Sequence, residues 1–180
     1  MKITDKYVFF WKEEPFTNFT KCVIKFRHPD EQFSVPCYHT FSSSEQLFMW
    51  LKAYTFNDYE IMKKILETDD PQEARKLGRQ VKNYDDEKWS KERYTCMRMC
   101  LFSKFIQNAG LREQLCDPIY DGKTFVEAAY YDNIWGIGYN QEEALMHDEC
   151  MWGQNLLGKL LTEIREFCIN NKEAFEGSNS

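Results

Sequence analysis

Several short islands in this chain group residue types that hold a flat ring, orient a sugar and supply charge. They are Phe10-Trp11 with Phe16-Thr17-Asn18-Phe19, Glu45-Gln46 with Lys52, Leu77-Gly78-Arg79, Trp89 with Arg93, Asp132-Asn133-Ile134-Trp135-Gly136, and Gly153-Gln154-Asn155. Core packing alone has no use for indole, glycine, amide and carboxylate set so closely, whereas a small-molecule site needs those types together. Glu45 and Lys52 are seven residues apart, about 700° of helical rotation, so on a helix they share one face roughly 10 Å apart. A carboxyl and an amine in that relation suit acid-base or nucleophilic work on one substrate lying between them.

Local pattern supplies the elements that would position these groups. Tyr7–Trp11 and Lys21–Arg27 read as strands interrupted by Glu13-Glu14-Pro15, and the Pro36 region through Phe41 as a further strand. A small amino-terminal sheet is expected. Ser42 to Ser44 offer caps for a helix over about 44–56, Asp58–Glu67 gives a second, and Asp70-Pro71 opens a third reaching about Tyr84. Asp85 caps a long fourth helix to about Asn108, ended by Gly110, in which Trp89, Arg93, Cys96, Met97, Cys100 and Lys104 follow helical spacing. Thr124–Ala129 reads as a late strand, Gln141–Cys150 as weakly helical, and Leu156–Asn171 as an amphipathic helix. The class is helix-dominated α+β, one domain over residues 1–175 with a frayed polar tail at 176–180.

At 180 residues, 43% hydrophobic and 16% aromatic, the chain can bury a true core. Twenty-three Lys and Arg against 29 Asp and Glu give a net charge of -6, without the basic runs that bulk binding to a polyphosphate backbone requires. One modified nucleotide held in a local pocket remains compatible with that field. Seven cysteines lie scattered without paired C-x-x-C spacing, which points to free thiols, a reduced cytoplasmic setting and no metal. No signal-peptide core and no run of about 18 apolar residues is present, so no membrane partner is expected.

Each island also has a plainer reading. Glu45 fits the third position of a capping box opened by Ser42, and Lys52 fits a solvated helix face. Trp89 and Trp135 fit a core, Asp132 an Asx-turn, Asn155 a helix cap, and Gly78 a close helix contact.

The order of the islands tips the balance, because in order they resemble the NADAR (YbiA-like) family. The matching run is Phe16-Thr17-Asn18-Phe19, Glu45 to Lys52, Leu77-Gly78-Arg79, Trp89, Lys104-Phe105-Ile106-Gln107, Val126-Glu127, Asp132 to Gly136, and Asn155-Leu156-Leu157-Gly158, across about residues 7–170. The resemblance implies a compact, mostly helical YbiA-like fold and cofactor-independent N-glycosidase chemistry on ribosylated compounds. Its substrates would be ADP-ribose attached to guanine in nucleic acid or phosphoribosylaminopyrimidine intermediates of riboflavin synthesis. A non-catalytic module binding ADP-ribose or NAD is the competing reading.

Glu45, Lys52 and Asp132 are the expected catalytic residues. In one route Glu45 or Asp132 stabilises an oxocarbenium-like sugar and activates water. In the other, which accounts for a lysine in register with the glutamate, the sugar ring opens and Lys52 displaces the base through a Schiff base while Glu45 moves protons. Trp11, Asn18, Phe19, Arg79, Trp89, Arg93, Trp135, Gly136 and Asn155 are the expected substrate-binding residues: the indoles flank the ligand, Arg79 or Arg93 meets phosphate, and the two amides fix ribose or phosphate oxygens.

Overall fold

The computed structural model describes residues 1–28 and 38–176, with side chains through residue 175. In chain order the strands are β1 (Lys2–Ile3), β2 (Tyr7–Phe10), β3 (Ile24–Phe26), β4 (His39–Phe41) and β5 (Thr124–Glu127). The helices are α1 (Ser44–Thr55), α2 (Tyr59–Leu66), α3 (Pro71–Gly78), α4 (Asp86–Gln107), α5 (Ala109–Leu115), α6 (Gln141–Ala144), α7 (Leu156–Asn170) and α8 (Lys172–Glu176). The helix-dominated α+β class expected from sequence is the class observed. Two compact units divide the chain: residues 18–108, and residues 1–17 together with 109–180.

The unit of residues 18–108 is built around α1, which packs on α2, α3 and α4. Leu47, Trp50, Leu51 and Ala53 on it are essentially inaccessible, so the helix has apolar neighbours on several sides. Ser43 is its N-cap, its hydroxyl accepting from Gln46 N at 3.1 Å. Asp58 caps α2 by accepting from Ile61 N at 3.2 Å, while its second oxygen takes the Lys82 amide at 2.8 Å. That second bond bears on α3, which ends at Gly78 instead of running to Tyr84. Beyond Gly78 the backbone is drawn to Asp58, and Asn83 takes a left-handed φ of 55°. A Cβ at Gly78 would lie 2.1 Å from Met49 Sδ, so a larger residue there would have to displace the Met49 side chain.

The remaining elements of this unit are two paired strands and a long helix. β3 and β4 pair antiparallel, with Ile24 opposite Phe41. The amides of Gln107 and Asn108, at the end of α4, bond the β3 edge as a further strand would. Gln107 Oε1 accepts from Lys25 N at 2.8 Å, Gln107 Nε2 donates to Lys25 O at 2.9 Å, and Asn108 Nδ2 donates to Val23 O at 3.0 Å. Asn108 Nδ2 also reaches Lys104 O at 2.8 Å, satisfying a terminal carbonyl of α4. Asn108, not Gly110, therefore terminates that helix. Gly110 lies inside α5, a helix the sequence pattern does not announce.

In the other unit β2 is the central strand of a three-stranded sheet, antiparallel to β1 and parallel to β5. Val8, Phe9 and Phe10 are buried on both faces, hence the unbroken β-branched and aromatic run. The expected amino-terminal sheet is thus two sheets: β2 pairs with a strand from the last third of the chain, and β3 and β4 pair elsewhere. Pro36 and Cys37 of the expected third strand lie outside the described residues. Of the expected frayed tail, Glu176 ends α8, and residues 177–180 lie outside the described residues. Helix α7 packs on β5 and on α5, and its Leu157, Leu160, Leu161, Ile164 and Cys168 are buried. The weakly helical stretch condenses to α6, capped by an Asn140–Glu143 capping box, and a 3-10 turn at Glu149–Met151. No helix among the described residues is long and apolar enough to cross a membrane.

A methyl group added at Gly110 would have no neighbour within 4 Å, and φ there is not positive. Gly110→Ala is therefore expected to stabilise the protein by about 0.5–1 kcal/mol through lost unfolded-state freedom. Gly158→Ala should do the reverse, by about 3 kcal/mol or more, because its Cβ would lie 2.2 Å from Phe125 O. Denaturant titration of both variants checks the pair.

Candidate active site

Glu45 and Lys52 both lie on α1, two turns apart, and α3 lies alongside both. Arg75 Nε of α3 is 3.9 Å from Glu45 Oε1, and Lys52 Nζ donates to Gly78 O at 2.9 Å. Arg79 caps the end of α3, and its charge acts on Glu45 and Lys52 alike. One guanidinium thus senses the acid and the amine together.

Glu45 is 6% exposed, and no hydrogen bond donor meets its carboxylate among the described residues. Burial pushes its pKa up to about 7, against the opposing pull of Arg75 and Arg79. The capping role belongs to its neighbour. With Ser43 as N-cap, the third helical residue is Gln46, whose Oε1 accepts from Ser42 N at 2.7 Å and whose Nε2 donates to Ile65 O at 2.8 Å. Glu45 is therefore free of the capping duty that sequence alone allows it. Lys52 is half-buried; burial first, and Arg79 second, lower its pKa, and its ammonium lies 4.5 Å from the Tyr84 ring centre.

Five other expected residues belong to the same unit. Asn18 is buried and tied to the start of α1: its carbonyl accepts from Glu45 N at 3.0 Å, its Oδ1 from Ser44 Oγ at 3.2 Å, and its Nδ2 donates to Met97 Sδ at 3.4 Å. Phe19 lies beneath the Arg75 guanidinium at 5.7 Å. Trp89 is 7% exposed and packs on Phe48 at 5.3 Å and Phe56 at 6.4 Å, within the core, while Arg93 stands half-buried one turn along α4. Arg79 is exposed.

The remaining expected residues belong to the other unit. Trp11 follows β2, is 37% exposed, meets Tyr130 edge-on at 6.1 Å and carries Lys12 Nζ 4.4 Å above its ring. Asp132 closes an Asx-turn, its Oδ1 accepting from Ile134 N and Trp135 N at 2.8 Å each. Trp135 is half-buried. Gly136 is packed against backbone, where a Cβ would meet Glu127 O at 2.8 Å and Ala129 Cβ at 2.9 Å. Asn155 precedes α7 with a φ of 51° and makes no side-chain cap; its Oδ1 accepts from Glu127 N at 3.0 Å and its Nδ2 donates to Phe125 O at 2.9 Å, pinning α7 to β5.

Sequence reasoning missed Arg75 and the Gly78 carbonyl. Arg75 was within reach of the spacing argument, since it stands four residues before Arg79 and so shares its helix face. The Gly78 carbonyl was not, because which backbone oxygen an amine meets depends on where α3 stops.

Comparisons with known proteins bear on the family. The NADAR domain family profile matches residues 9–168. The chain is 35% identical over 171 residues to an N-glycosidase of Acanthamoeba polyphaga mimivirus, covering 91% of this chain and 96% of that protein. It is 29% identical over 161 residues to a riboflavin biosynthesis protein of Vibrio vulnificus, covering 83% of this chain but 40% of that protein. The NMR structure of Escherichia coli YbiA superposes with a TM-score of 0.68 at 26% identity, covering 95% of this chain and 89% of YbiA. On these matches the chain belongs to the NADAR domain family.

Proposed function

We propose that this protein is an N-glycosidase that cleaves the bond between a ribose anomeric carbon and a base nitrogen, removing ADP-ribose from ADP-ribosylated guanine in nucleic acid. The observation that carries the reading is the buried Glu45 carboxyl, held near neutrality by burial and facing the same guanidinium as Lys52. A carboxyl with a pKa of about 7 exchanges protons in both directions at working pH, as a group that protonates a leaving nitrogen and then activates water must. The name of the mimivirus relative supports the bond type. The name of the Vibrio relative favours a second substrate, a phosphoribosylaminopyrimidine, whose scissile bond has the same chemistry.

The nitrogen lone pair expels the ring oxygen, which takes a proton, and leaves an imine at the anomeric carbon. The Lys52 amine adds to that carbon; Glu45 protonates the departing base nitrogen; and the resulting lysine Schiff base is hydrolysed by water to free sugar and amine. Lowering the Lys52 pKa enlarges the neutral fraction that this addition needs. Arg79 and Arg93 are assigned to the phosphates. Asn18 is assigned to ribose beside Glu45, whereas Asn155, with both polar side-chain atoms bonded to the β5 backbone, is assigned to positioning α7. Phe19, Trp11 and Trp135 are assigned to the rings, and Asp132 to positive charge on the sugar; Trp89, packed on Phe48 and Phe56, and Gly136, packed on Glu127 and Ala129, are given structural roles.

Borohydride added during turnover should trap a sugar adduct on Lys52, read by peptide mass; a repeated failure under active turnover returns the mechanism to direct hydrolysis. Glu45→Gln should lower turnover by about 10²–10⁴-fold, and retention of activity would sink the reading. The same variant should also be more stable at alkaline pH. Because the folded pKa is raised from 4.5 to about 7, native stability is whole below pH 4.5 and falls as pH climbs through 7. Replacing the carboxyl should therefore raise stability by about 1–2 kcal/mol, or roughly 3–6 °C in Tm, at pH 8, with the gain vanishing at pH 4. Thermal melts across that range test the sign. Finally, ADP-ribosylated guanine DNA and a phosphoribosylaminopyrimidine offered in parallel should separate the two substrates, and cleavage of neither would favour a binding module.

A further inference from the structure

Outside the residues assigned to catalysis, Cys116 and Cys168 form a second concentration of reactive groups. Cys116 follows directly on α5 and is partly exposed; Cys168 is on α7 and 3% exposed. The two thiols are near enough that each shifts the titration of the other. They line a cavity of about 340 Å³ with Arg112, Glu113, Asp121 and Lys172. That volume takes a small molecule, and its lining carries both signs of charge. Arg165, Arg112 and Lys172 turn positive charge toward Cys116, Arg165 being fixed by bonds to Asp117 O at 3.0 Å and to Asp121. The neighbouring Cys168 thiol first, and these charges after it, hold the Cys116 pKa down at about 7 against the effect of burial, whereas Cys116 first and burial second push Cys168 well up. The accessible sulfur is thus the nucleophile and the buried one stays protonated behind it.

We propose that Cys116 is a thiol-exchange site for small zwitterionic disulfides of the oxidised-glutathione class, with Cys168 as the resolving thiol. The Cys116 thiolate attacks one sulfur of the reagent, forming a mixed disulfide and breaking the reagent's S–S bond; the released thiolate takes up the proton Cys116 gave. Cys168 then loses its proton and attacks Cys116 Sγ, forming the Cys116–Cys168 bond and expelling the second reagent thiolate, which is protonated in turn. Two protein thiols are oxidised and one small disulfide is reduced to two thiols. Residues 116 and 168 bracket β5, the Asp132 turn and the start of α7, so the link closes a loop around those elements.

The full chain incubated with oxidised glutathione and mapped by peptide mass should show a Cys116–Cys168 crosslink that dithiothreitol reverses. Cys168→Ser should accumulate a glutathione adduct on Cys116, formed at least about tenfold faster than one on the more exposed Cys150. A wild-type protein that stays unmodified, or that reacts first at Cys150 or Cys22, overturns the proposal. The wild-type mapping decides it even where Cys168→Ser fails to fold.

Discussion

A buried carboxyl that no hydrogen-bond donor meets among the described residues is the constraint on which the candidate chemistry depends. Ionising Glu45 is costly where it sits, and two arginines, Arg75 and Arg79, only partly relieve that cost. A group in that position is kept near the point of proton exchange, and the fold tolerates it because the surrounding helices define its place. Asn18 holds its backbone amide, Gln46 takes over the capping work, and Gly78 lets α3 approach α1 closely enough for Arg75 to come near.

The unit containing β2, β5 and α7 shows a different economy of polar groups. Asp132 and Asn155 are both engaged with backbone, one shaping the turn that presents Trp135, the other joining α7 to β5. A Cβ at Gly136 would meet Glu127 O at 2.8 Å, one at Gly153 would meet Asn133 O at 2.6 Å, and one at Gly158 would meet Phe125 O at 2.2 Å. The glycines of these motifs are therefore explained by backbone packing, and the same packing fixes the direction of the exposed groups beside them.

Helix starts were legible because capping is local. Asp58, Asp70 and Asp85 announce α2, α3 and α4, and each side chain accepts from the first-turn amides of its helix. Helix ends were less so. The end of α3 depends on Asp58 capturing the Lys82 amide across 24 residues, and the end of α4 on Asn108 bonding Val23 across 85. Strand partners were hidden for the same reason: nothing in Tyr7–Phe10 names Thr124–Glu127 as its parallel neighbour.

The sequence by itself determined which residue types share a helix face, because helical periodicity is a property of the chain's own geometry: Glu45 and Lys52 align on α1, and Arg75 aligns with Arg79 along α3 and its cap. Its ordered motifs were enough to identify the family. Only the tertiary structure decided that α3 lies against that face of α1, that Gln46 and not Glu45 completes the cap, and that Cys116 after α5 and Cys168 on α7 line one cavity. Burial and charge at a side chain come from neighbours distant in sequence, and a pKa near 7 for a glutamate exists only once those neighbours have packed.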